Sequence, residues 1–151
     1  MILTDLGSLE NARRQGRRIG FTCSNFDLLH AGHVSMLSEA SSACDFLVVG
    51  LLSDPTIDRP EEKNKPVQSM FERWCQLQAV SYVDMIIPFE TEAEIIEIIK
   101  VIRPDIRIVG EDYKNRDFTG KSWGNTKPNN YYNARQHDFS SSELRKRIEN
   151  G

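Results

Sequence analysis

The sequence is poor in cysteine and histidine, with three of each among 151 residues. Cys23, Cys44 and Cys75 lie far apart and form no CxxC pair, which argues against a zinc site or a disulfide framework. No apolar run approaches the roughly 18 residues that a membrane helix needs. The first residues, MILTDLGSLENARRQGRR, lack the apolar centre of a secretory signal, so a reducing cytoplasm is the expected compartment. A large excess of one charge is also missing, since the net charge is −3. Nucleic-acid-binding domains are generally basic, so no nucleic-acid partner is expected. What is present is an average globular composition, 39% hydrophobic and 27% charged. That composition excludes disorder and is enough to bury a core. Residues 1–151 are expected to form one domain, with residues 1–16 as an N-terminal helical extension.

Along the chain, strand patterns alternate with helix patterns. Residues 8–15 read as a polar helix capped by Ser8, with Gly16 just past its end. Residues 17–23 read as a first strand, and residues 34–43 carry apolar side chains at helical spacing. Residues 45–52, DFLVVGLL, form a continuous apolar run, the mark of a strand buried on both faces of a parallel sheet. Ser69 with Glu72 predicts a capping box and a helix to about residue 81. Strands are expected at 84–89 and 106–109, and an edge strand at 131–133. Between the first two lies a helix opened by Thr91, whose isoleucine stripe faces the core, and Pro104 marks its end. Ser140 or Ser141 caps a last helix over 142–149. The alternation implies an α/β fold: a Rossmann-like, doubly wound, parallel five-stranded sheet with helices on both faces. In such sheets ligands bind beyond the carboxyl ends of the strands. The loops after Cys23, Leu52, Val109 and Asn133 should therefore meet at one rim.

The loop after the first strand holds two of the three histidines, His30 and His33, at the start of a helix. Three residues apart, they can share one face. A helix start attracts anions through its free N–H groups, and Gly32 lets the backbone come close to a ligand. Paired imidazoles there can donate hydrogen bonds to phosphate oxygens as charge develops. Asp27 could orient a histidine or hold the loop. None of the cysteines has a base nearby in sequence, and Cys23 and Cys44 read as small buried hydrophobes. The basic cluster Arg13, Arg14, Arg17 and Arg18 has no interleaved aromatics and reads as a solvated face.

The run SNFDLLHAGHVSML resembles the GxFDxxHxGH signature of the cytidylyltransferase-like nucleotidyltransferases. A second signature of that family is an arginine shortly before I-S-T/S-T/S at the last helix. It is matched by Arg135 and by Phe139-Ser140-Ser141-Ser142. The resemblance covers roughly residues 17–149, and its nearest forms are glycerol-3-phosphate cytidylyltransferase and the nucleotidyl domain of ADP-heptose synthase. It implies that a substrate phosphate attacks the α-phosphate of a nucleoside triphosphate and pyrophosphate leaves, with no covalent enzyme intermediate. Such catalysis is mainly positioning and charge stabilisation.

Carried over by position, His30 and His33 would contact the triphosphate and the transition state, beside Gly32 and Asp27. Asn25 and Phe26 would contact nucleotide through the backbone, and Asp112 its ribose or base. Arg135, Ser140, Ser141 and Ser142 would bind phosphates and the base edge, with His137 close to them. Lys65 and Arg73 would reach over the phosphates, and Lys63 and Asp54 would bind or steer the acceptor.

The resemblance also implies Mg2+ arriving with the triphosphate, no dedicated protein metal site, and a homodimer. CTP and a small phosphorylated alcohol or sugar are the first expectation for the substrates. ATP with a sugar 1-phosphate, and a nucleotide-binding protein without turnover, are the alternatives. Two positions depart from the pattern. Ser24 replaces the signature glycine, and Ser81 stands where the glycerol-phosphate enzymes carry an arginine. The polar segment 111–130 is longer than in those enzymes and reads as a lid or an acceptor loop. Trp123, Tyr131 and Tyr132 read as core or interface.

Overall fold

The computed structural model describes residues 5–122 and 129–151. Trp123 and part of the polar segment after β4 lie outside the described residues. The elements are α1 (Leu6–Arg14), β1 (Ile19–Ser24), α2 (Ala31–Ser42), β2 (Phe46–Leu52), α3 (Met70–Gln78), β3 (Met85–Phe89), α4 (Glu92–Ile102), β4 (Ile106–Gly110), β5 (Asn130–Asn133) and α5 (Ser141–Asn150). All strand pairings are parallel, in the order β3-β2-β1-β4-β5. Every strand therefore ends on the same edge of the sheet. The order reverses between β1 and β4, and this switch point is where open parallel sheets leave a crevice for ligands.

The helices cover both faces. Phe21, Phe46, Val48 and Phe89 pack with Leu9 of α1 and with Ile95, Ile99 and Ile102 of α4. Leu47, Val49, Ile86 and Ile108 pack on the other face with Leu37 of α2 and Leu77 of α3. β2 is buried along its whole length, as its unbroken apolar run requires. The isoleucine stripe of α4 is core, while α1 joins the core through Leu9 and Ala12 rather than standing off as a polar extension.

Several boundaries differ from the sequence expectation for local chemical reasons. Asp5, not Ser8, caps α1 by accepting from the Ser8 backbone N–H, so the helix starts two residues earlier. α3 has the expected Ser69–Glu72 capping box but ends at Gln78. α4 ends at Arg103 in the left-handed region (φ 43°), immediately before Pro104, which excludes helical geometry at its neighbour. Ser140 is the cap of α5. Arg17 and Arg18 precede β1, so they lie at the amino edge of the sheet, opposite the strand ends. No helix among the described residues is long and apolar enough to cross a membrane.

Candidate functional site

The loop from Asn25 to His30 joins β1 to α2 at the switch point. It contains two non-glycine residues in the left-handed region, Phe26 (φ 49°) and Leu28 (φ 50°). Such a backbone costs roughly 1–3 kcal/mol per residue and survives only when its surroundings hold it. Here they do. Phe26 is fully buried, and the Leu28 N–H donates to Gln68 Oε1 at 2.8 Å. Asp27, 1% exposed, lies beneath the loop. Its carboxylate accepts from the backbone N–H groups of Val67 (2.9 Å) and Gln68 (3.0 Å) and from Arg145 Nη2 (2.8 Å). Asp27 thus acts on the site from below, by tying three segments together.

His30 caps α2. Its Nδ1 accepts from the Gly32 N–H at 3.0 Å, and His33 Nδ1 accepts from the His30 N–H at 3.3 Å. The two rings stack with centroids 3.9 Å apart. A ring nitrogen that accepts a hydrogen bond carries no proton, so each imidazole is held as the Nε2–H tautomer. Burial and the neighbouring His30 press the pKa of His33 down to about 4. Burial, then His137 and Arg135, lower that of His30. Both rings are therefore neutral donors at pH 7. His137, placed in sequence only by its neighbours, joins them: a Cβ on Gly32 would stand 2.9 Å from His137 Cε1 and from His30 Cε1. His137 Nδ1 also accepts a backbone N–H, that of Phe139, at 3.1 Å. All three histidines of the chain meet around Gly32.

The second signature closes over the first. Ser141 Oγ lies 3.3 Å from His30 Nε2 and donates to the Asp27 carbonyl at 3.2 Å. Given the tautomer, His30 donates to Ser141. Arg135 is exposed, donates to the Phe139 carbonyl at 3.1 Å, and has its own N–H on Glu111 Oε1 at 3.3 Å. Ser140 Oγ is occupied as the α5 cap, and Ser142 is exposed in the first turn. Asp112 stands at the end of β4, exposed and paired with Arg116 at 3.4 Å.

The middle segment departs from its expected geometry. Lys63 and Lys65 are exposed on the loop after β2. Arg73 is 2% exposed and turned inward. Its guanidinium donates to the carbonyls of Gln68 (3.1 Å), Asn25 (2.8 Å), Leu52 (2.6 Å) and Ser53 (2.5 Å). It joins the loops after β1 and β2 instead of reaching out over the rim. Asp54 accepts from the backbone and hydroxyl of Thr56, which hold its carboxyl below the usual range. Burial pushes the Cys44 thiol up to about 11 and the Cys23 thiol up as well, so neither is a nucleophile at neutral pH. Among the described residues no three His, Cys, Asp or Glu side chains converge on a metal position.

Sequence reasoning missed Gln68, Glu39 and Arg145. Glu39 accepts from Tyr131 Oη (2.9 Å) and the Ala134 N–H (3.3 Å), setting the loop after β5 against α2. Arg145 lies one turn after Ser141 on the same face of α5, a spacing visible in the sequence. Gln68 leaves no signal there.

An imidazole cluster at a helix start, on the switch point of a parallel sheet, is a geometry suited to binding an anion. The family model "Cytidylyltransferase-like" matches residues 21–147, and the chain belongs to that family of nucleotidyltransferases. It is 41% identical over 116 residues to the "Bifunctional protein HldE" of Paramagnetospirillum magneticum, covering 74% of this chain and 24% of that protein. It is 42% identical over 105 residues to the protein of the same name from Caulobacter vibrioides, covering 70% and 22%. The chain thus spans about a quarter of these relatives. A lipopolysaccharide core biosynthesis protein of Thermoplasma volcanium has the same fold, with TM-score 0.56, 21% identity, and 89% and 88% of the two chains covered.

Proposed function

We propose that this domain transfers AMP from ATP to a sugar 1-phosphate and releases pyrophosphate. The observation that carries the choice of substrates is the 41% identity to the HldE proteins, whose nucleotidyl part is that of ADP-heptose synthase. The CTP expectation gives way to its alternative. Ser81, where the glycerol-phosphate enzymes carry an arginine, points the same way.

An acceptor phosphate oxygen attacks the α-phosphorus, and the bond from that phosphorus to the oxygen bridging to the β-phosphate breaks. The electron pair leaves on pyrophosphate, so no enzyme atom becomes bonded to substrate. His33 supplies an Nε2–H donor to the oxygens that gain charge from a fixed tautomer, and the His30 Nε2–H, which donates to Ser141 in the free protein, turns to them when the nucleotide binds. The α2 start and Ser142 bind further phosphate oxygens. Lys63 and Lys65 are exposed cations on the loop that would meet the leaving pyrophosphate. Magnesium would enter with the nucleotide and neutralise charge on its phosphates. A cytoplasmic homodimer is part of the same proposal, and sedimentation as a monomer would overturn the dimer.

The test is pyrophosphate release from ATP and from CTP against a panel of sugar 1-phosphates and phosphorylated alcohols. Release with ATP and a sugar 1-phosphate is the expected result. Release with CTP and glycerol phosphate would overturn the choice of substrates. No release with any pair would leave a nucleotide-binding domain without turnover.

A further inference from the structure

We infer that Arg145, which neither signature contains, is a positioning residue that docks α5 on the phosphate site. This rests on the nucleotide reading above. Helix α5 carries Ser141 and Ser142 to the histidines, yet no residue of α5 is buried. Its inward stripe is Ser141, Leu144 and Arg145, all only half-buried, and Ile148 on the next turn is 66% exposed. An amphipathic helix is normally held by the apolar area it buries. This one is held by polar contacts instead: Arg145 Nη2 on Asp27 Oδ2 at 2.8 Å, and Ser141 Oγ on the Asp27 carbonyl at 3.2 Å. Both reach the same residue. The Asp27 carboxylate is only 2% exposed, so the ion pair is shielded from solvent on one side. Such a pair is screened far less than one on the open surface.

Asp27 has separate partners for its separate tasks. The Val67 and Gln68 N–H groups hold the loop before α3, and Arg145 holds α5. Removing the arginine leaves the carboxylate with two backbone donors, so the β1–α2 loop keeps its shape. What is lost is the seat of α5, and with it the contact of Ser141 to His30. The ion pair is a single Nη2–Oδ2 contact rather than a two-pronged one, so a lysine can replace it.

The experiment compares the wild type with Arg145→Ala and Arg145→Lys by three readings. Amide hydrogen exchange is expected to rise at least tenfold in α5 of Arg145→Ala while β1, β2 and β4 keep their protection. KM for ATP is expected to rise about tenfold or more with kcat changed less than threefold, and Arg145→Lys is expected to restore most of both. Unchanged α5 exchange would overturn the inference, whatever the substrates prove to be. So would a general loss of protection with KM and kcat moving together and no rescue by lysine, the mark of a merely structural arginine. If the wild type turns over no substrate pair, the proposed reaction fails, and the exchange reading still decides the docking.

Discussion

Each of the three imidazoles uses Nδ1 as an acceptor from a backbone N–H, so the chain itself selects the tautomer that donates from Nε2. His33→Ala removes one such donor, together with a contact to the buried Phe26 ring and the acceptor of the His30 N–H. The expected loss of kcat is about 10²–10³-fold, the usual effect of deleting one preorganised donor. Pyrophosphate release checks the loss, and a single cooperative melting transition checks that the fold survives. Gly32→Ala should act on the same rings, because its Cβ would come within 3.0 Å of both His30 and His137. The neighbours that must yield are the capping imidazole and His137, so activity should fall more than stability.

The lowered pKa of His33 also predicts a pH dependence with a definite sign. The unfolded ring takes a proton near 6.5, whereas the folded ring resists until about 4. The unfolded state therefore binds more protons in this window, and stability falls as the pH drops from 6.5 towards 4. A depression of that size corresponds to roughly 3–3.5 kcal/mol at most. Melting temperatures measured across this range should drop in the wild type and drop less in His33→Asn. Equal slopes for the two proteins would refute the assignment.

At the scale of elements, Arg73 belongs to α3 but holds together two loops of the sheet edge. Arg73→Met leaves the buried carbonyl of Leu52 and the half-buried carbonyls of Asn25 and Ser53 without their donor. Each such loss costs on the order of 1 kcal/mol or more, and the sum should lower Tm by roughly 5–15 °C. Thermal unfolding measures this directly. Recovery in Arg73→Lys should be small, because one ammonium cannot span the carbonyls that a planar guanidinium reaches.

The inward turn of Arg73 was partly legible. Met70, Arg73, Trp74 and Leu77 form one stripe at i, i+3, i+4 and i+7, so the arginine stands on the apolar face of its helix. The strands were legible because their apolar runs are continuous, and the Ser69–Glu72 capping box because it is local in sequence. Asp27 was legible as a loop residue only. Its partners lie 40, 41 and 118 positions away, and no periodicity links them. The same holds for the left-handed backbone at Phe26 and Leu28, which neither residue type announces.

Over the whole molecule, a net charge of −3 coexists with the site proposed for a polyanion. In that proposal the attraction is local, supplied by a helix start, neutral donors and Lys63, Lys65 and Arg135. The four arginines near the amino edge of the sheet have no part in it. A ligand that binds only the folded state raises its stability by mass action, about 2.7 kcal/mol at a hundredfold excess over Kd. For a domain of this size that is a rise in Tm of roughly 5–10 °C. ATP is expected to produce it at lower concentration than CTP. The reverse order would return the nucleotide to the glycerol-phosphate form of the family.

The strained loop between β1 and α2 has a consequence for the order in which the protein comes together. Its geometry is held by Gln68 and by the backbone of Val67 and Gln68, and α5 is seated on it through Ser141 and Arg145. None of these is a near neighbour in the chain. Strands β1 and β2 can pair as soon as α2 folds between them, but the histidine loop has no means of keeping its shape at that moment. Contacts that close long stretches of chain form late. During synthesis the loop must remain unset until residue 68 has left the ribosome, and α5 can seat on it only after residue 145 has followed. A growing chain would then own its sheet before it could hold a nucleotide, and binding competence would arrive as the last event of folding.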